Sequence, residues 1–146
     1  MRSTLIASLA THLHYVALAV LTAIWPGAST YGDADAISRA IGVAVAEDSD
    51  RGYVDLEAEA ATMAVYAWYE SRLSMHPTAY SWDAVAGHSC GAWQMPCALT
   101  RYLTLEEQAK TWLRWTHQAG LAGVDSSPAR ARKRVGLAMR LLRGAN

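Results

Sequence analysis

Residues 55–72 read DLEAEAATMAVYAWYESR, and this stretch sets the fold class. Asp55 is a good helix N-cap, because its carboxylate can accept a hydrogen bond from a first-turn amide that has no partner inside the helix. Behind it Ala58, Ala60, Ala61, Ala64 and Ala67 favour helix and carry little bulk, so neighbouring helices can approach closely. The pattern predicts a helix over about 56–72 that is central to the fold and its most buried element.

Upstream, Leu5 to Trp25 is apolar for about 21 residues and follows Arg2, with Leu5, Leu9, Leu13, Val16, Val20 and Ile24 on one helical stripe. Thr11, His12, His14 and Thr22 interrupt the run, and no convincing small-x-small cleavage site follows before Pro26, so a buried helix is the favoured reading. The length also suffices to cross a bilayer, which makes a signal or membrane anchor over residues 1–25 the competing reading. Pro26-Gly27 ends the period, Asp33 is read as the N-cap of a second helix reaching about Ala46, and Glu47 to Gly52 as a polar surface loop. Downstream, residues 74–96 turn to Pro, Gly, Ser, His and Trp without a period, apart from a short extended stretch around 79–85. Thr104 with Glu107 then forms a capping box before a helix of about 105–119, and Ser127-Pro128 opens a last helix of about 128–143. The expected architecture is one mainly α domain over residues 1–146, with little or no sheet.

The chain has 146 residues, 52% of them hydrophobic, enough for one core and too few for two ordinary domains. Its net charge of zero conceals a dipole: nine acids and four bases up to Leu73, four acids and nine bases after it. The last helix carries Arg130, Arg132, Lys133, Arg134, Arg140 and Arg143. No nucleic-acid motif accompanies these bases and the aromatic residues lie elsewhere, so nucleic acid is not an expected partner. Contact of this helix, or of the first one, with an anionic wall or membrane stays open beside a plain solvated face. Cys90 and Cys97 are close enough for a local disulfide, though their spacing alone does not establish one. Without histidines at ligand spacing they do not make a zinc site, and no metal or cofactor is expected. A monomer is expected.

Glu70 carries the chemistry. It ends the alanine-rich helix, with Met63, Tyr66 and Ala67 three to seven residues earlier on the same face, so it is expected to be partly desolvated. Desolvation disfavours the charged carboxylate, and a carboxyl group that keeps its proton can deliver it to the oxygen of a sugar leaving group. Downstream lies Gly87-His88-Ser89-Cys90-Gly91-Ala92-Trp93-Gln94-Met95-Pro96. The Glu70-Ser71 pair at a helix end, followed after a variable loop by Gly91-x-x-Gln94 and Pro96, resembles the lysozyme-like superfamily of lytic transglycosylases and goose-type lysozymes, over roughly residues 63–97.

The resemblance implies a compact helical domain with a glycan cleft beside its central helix. It implies cleavage of the β-1,4 bond between N-acetylmuramic acid and N-acetylglucosamine of peptidoglycan, at a bacterial wall reached from periplasm, exterior or phage. Glu70 matches the general acid, and Ser71, Ser89, Gly91 and Gln94 match supporting or binding positions. Tyr80, Trp82 and Trp93 could cover the apolar C–H faces of sugar rings, with core packing as the competing role; Tyr66 and Trp68 are read as core. Asp83, thirteen residues after Glu70, has a separation similar to that of a water-positioning acid in goose-type lysozymes, whereas Met95-Pro96 stand where goose-type members carry another acid. A water held by Asp83 gives inverting hydrolysis; without it the resemblance implies a 1,6-anhydro product. A wall-binding protein of a virion or secretion apparatus, without efficient cleavage, is the alternative.

Overall fold

In the computed structural model, which describes residues 2–30, 32–48, 55–73, 80–83 and 87–145, the apolar N-terminal stretch forms α1 (Arg2–Ile24). A 3-10 turn (Pro26–Thr30) reverses the chain into α2 (Gly32–Glu47), so α1 and α2 pair as a helical hairpin. Gly42 makes the pair close: a Cβ there would run into the Ala10 carbonyl oxygen and the His14 amide nitrogen of α1. Leu13, Ala17, Val20 and Leu21 of α1 are completely buried, whereas Leu5 is 71% exposed. Leu9, Val16 and Ile24 pack partly buried against the same core, so the expected stripe faces inward except at Leu5, in the first turns of α1 that lie open. Among the described residues this is the one helix long and apolar enough to span a bilayer, over Ser3–Ile24. Asp33 lies in the first turn of α2, not ahead of it, because the helix begins at Gly32. The helix runs on through Glu47, so the polar stretch begins later than expected, and residues 49–54 lie outside the described residues.

The decisive stretch forms α3 (Leu56–Ser71), with the Asp55 side chain accepting from the Ala58 amide at 3.1 Å. Ala60, Ala61, Met63, Ala64, Val65, Tyr66 and Ala67 are buried, and α3 packs on α1, α2 and the last helix, the central place expected of it; it is not the most buried element, since α2 buries nine residues against these seven. Beyond it the fold departs from pure helix. β1 (Tyr80–Asp83), β2 (Gly87–Cys90) and β3 (Met95–Pro96) form a small antiparallel sheet in that order, with Trp82 opposite His88 and Cys90 opposite Met95. β1 falls inside the expected extended stretch, whereas β2 and β3 carry no period long enough to read.

The C-terminal part is helical again: α4 (Cys97–Thr100), α5 (Leu105–Ala119), α6 (Leu121–Asp125) and α7 (Pro128–Ala145). Both bonds of the Thr104–Glu107 capping box form, and Ser127 Oγ accepts from the Arg130 amide at 3.3 Å. α7 returns across α1 and α3, and α5 packs on α2. The core joins α1, α2, α3, α5 and α7 through Leu13, Val45, Met63, Trp112, Leu113 and Ala138, with Trp93 added from the turn before α4.

Candidate active site

Glu70 stands on the last turn of α3, which stops because Arg72 takes a left-handed φ of 53° and caps the Trp68 carbonyl at 2.9 Å. The side chain is 29% exposed, and its Oε1 accepts from Arg134 Nη1 of α7 at 2.5 Å. The surroundings are therefore not the plain apolar approach expected from α3 alone: the opposing helix supplies a guanidinium. That guanidinium also lies 4.8 Å from the Tyr66 ring and 5.1 Å from the Tyr69 ring, both good cation–π distances.

Behind the pair sits Asp125, whose side chain is completely buried. It accepts a very short hydrogen bond from the Tyr66 hydroxyl and one from Arg130 Nε at 2.6 Å, and lies 3.8 Å from Arg134. Burial, with Asp125 accepting its hydrogen bond, pushes the Tyr66 phenol well above its ordinary range, so it stays a donor. Two carboxylates and two guanidiniums thus alternate from Arg130 to Glu70, which compensates the buried charge. Ser71 donates its hydroxyl to Ala67 O at 3.1 Å and so is engaged by its own helix.

The Gly91–Gln94 turn is built from one glycine conformation and one buried amide. Gly91 has φ 86°, and a Cβ there would fall on the Gln108 side-chain amide. Gln108, wholly buried on α5, accepts from the Ala92 amide at 3.2 Å and donates to Leu103 O at 3.3 Å. Gln94, itself at φ 50°, folds back so that its amide nitrogen donates to Gly91 O at 2.9 Å. A Cys90–Cys97 disulfide closes the segment. Trp93 is 2% exposed and its indole donates to Met63 O of α3 at 3.0 Å, so it pegs the turn to the central helix and offers no open face for a sugar. Met63 precedes Glu70 by two helical turns on the same side of α3, which puts the peg about 10 Å along the axis from the carboxylate.

Ser89 is buried on β2. Tyr80, Trp82 and Asp83 lie on β1, with Tyr80 paired to Cys90 beside the glycine turn and Asp83 paired to Gly87 at the other end of the hairpin. Their side chains lie outside the described part of the structure. Local sequence gave no notice of Arg134, Asp125 or Gln108, since each acts across a long chain separation. Their one signal was type: an acid ending the apolar Leu121–Asp125 turn, a basic run on α7 and an amide on the amphipathic α5.

A second group of titratable side chains joins α2, α3 and α5. His117 Nδ1 lies 3.1 Å from Asp48 and Nε2 2.6 Å from Glu59, and one ligand atom from each of the three residues lies within 4.8 Å of the others. The two ring nitrogens face different carboxylates, so the imidazole links Asp48 to Glu59 across the helices. Comparisons with protein families, curated proteins and solved structures found no match to the chain.

Proposed function

We propose that the chain is a peptidoglycan glycosidase that cleaves the β-1,4 bond between N-acetylmuramic acid and N-acetylglucosamine, with Glu70 as general acid. The observation that carries this reading is the pairing of a partly open carboxylate on the last turn of the central helix with a Gly-x-x-Gln turn pegged to that same helix by Trp93. Glu70 Oε1 is held by Arg134, so proton delivery to the leaving oxygen either uses Oε2 or follows displacement of the guanidinium by substrate. Asp83 on β1 is the acid proposed to hold a water for inverting hydrolysis; intramolecular attack within the sugar would instead leave an anhydro end.

The test is clearing of purified peptidoglycan together with mass analysis of the released fragments. Glu70→Gln should lower clearing by about 100-fold or more, since proton transfer by a placed group contributes at least that much. Full activity in the variant overturns the assignment. Reducing ends identify hydrolysis and anhydro ends transglycosylation. One observation favours a second reading, a wall-binding protein without cleavage: Arg134 is itself anchored by Asp125, a robust ion-pair arrangement for a resting acid. Co-sedimentation with insoluble peptidoglycan and no released fragments would select it.

A further inference from the structure

On the outer side of α7, next to Glu70, lies a groove of about 500 Å³ lined by Tyr69, Arg132, Lys133, Arg134, Leu137 and Arg140, among others. Arg134 is committed to Glu70 and Asp125, and Arg130 at the groove's edge to Asp125. Among the described residues no carboxylate pairs with Arg132, Lys133 or Arg140, so three cations share one concave surface without a counter-charge. Such self-repulsion costs stability unless an anion relieves it. The floor carries a second such cost. Gly136 sits in the middle of α7, where glycine is a poor helix former, yet a Cβ there would meet only Arg140 Nη1 at 3.5 Å, an ordinary contact. Packing does not demand the glycine, which lines the groove without a side chain to fill it.

We infer that this groove binds a carboxylate carried on the glycan, and that the bound carboxylate competes with Glu70 for Arg134. The choice of a glycan ligand rests on the glycosidase reading; the anion site follows from the groove itself. A carboxylate is favoured because Arg134 already holds one, Glu70, through Nη1, and a guanidinium can take another carboxylate in the same way. Tyr69, 42% exposed at the rim with Arg134 and Arg72 near its ring, offers its exposed edge to the apolar part of the ligand. A pocket of this size with one aromatic rim residue fits a short carboxylate-bearing branch, whereas a nucleic-acid strand needs phosphates tracked along an extended surface with several stacking platforms. Ligand in the groove thus frees Oε1 of Glu70 at the moment the glycan arrives, and a neutral glycan does not.

Binding, measured by calorimetry at low and moderate salt, tests this without depending on cleavage. The probes are N-acetylmuramyl tetrapeptide with free carboxylates, the same compound amidated, neutral chitotetraose and a single-stranded oligonucleotide. The free-carboxylate form should bind about tenfold tighter than the amidated form, and the combined Arg132→Glu, Lys133→Glu and Arg140→Glu variant should abolish that preference while leaving chitotetraose binding unchanged. Glu70→Gln, which removes the internal competitor, should bind the free-carboxylate form several-fold tighter than the wild-type chain does, as linkage requires. Equal affinity for the free and amidated probes, an unchanged preference in the charge-reversed variant, or tighter binding of the oligonucleotide lost in that variant would each overturn the proposal. Failure of wall clearing alone would instead count against the catalytic assignment of Glu70.

Discussion

At the scale of single residues, the site depends on positions whose importance lies in what they touch across the fold. Gly91 is the clearest case: its positive φ excludes an ordinary side chain, and the space a Cβ would need is held by Gln108. Gly91→Ala should therefore destabilise the protein by about 1–3 kcal/mol, read as a fall in the urea midpoint, because it combines left-handed strain with displacement of a buried, bonded amide. Glu70 and Gly91 were legible in the sequence because helix ends and turns have local chemistry. Arg134 was not, since the partner of Glu70 lies 64 positions away and nothing in its basic run distinguishes it from Arg132. Trp93 was legible as an aromatic in a loop, but its burial against Met63 depends on the packing of that loop.

At the scale of elements, the helices that announce their own ends were the readable ones. Asp55, Thr104 with Glu107, and Ser127 each cap the helix that follows them, and each of those helices starts where its cap predicts. Thr104→Ala should cost about 1 kcal/mol, seen as a lower thermal midpoint with little change in activity, since the box satisfies two otherwise unpaired groups at the head of α5. The sheet was only partly legible. β3 spans two residues and owes its place to pairing with β2 across a turn whose geometry comes from Gly91 and the disulfide, so no periodicity could reveal it. Asp33 shows the opposite failure: an acid suited to a cap is equally suited to a helix's first turn, where the helix dipole also favours it.

At the scale of the whole molecule, the charge dipole along the sequence closes on itself when the chain folds. Glu47 meets Lys110, Asp48 and Glu59 meet His117, and Glu70 meets Arg134, each an acid of the first half against a base of the second. Much of the segregation is thus spent in docking the two halves, and what is left over is the unpaired basic face of α7. The burial of Glu59 makes stability sensitive to pH. Burial raises Glu59 above its ordinary value of 4.5, more than His117 lowers it. With the folded value above the unfolded one, the contribution of Glu59 is fully present below about pH 4.5 and is lost as pH rises through the folded value. Glu59→Gln, neutral throughout, should flatten that part of the decline when urea midpoints are compared from pH 4 to pH 7, and an unaltered slope would show that the decline comes from other groups.

The Cys90–Cys97 bridge, with a sequence separation of 7, turns the segment from Gly91 to Pro96 into a covalent ring. A ring this small limits the conformations open to the denatured chain, an entropic effect on the order of 2 kcal/mol. Even in the unfolded oxidised protein the two ends of this segment stay together, so Gly91 and Gln94 never separate far from one another.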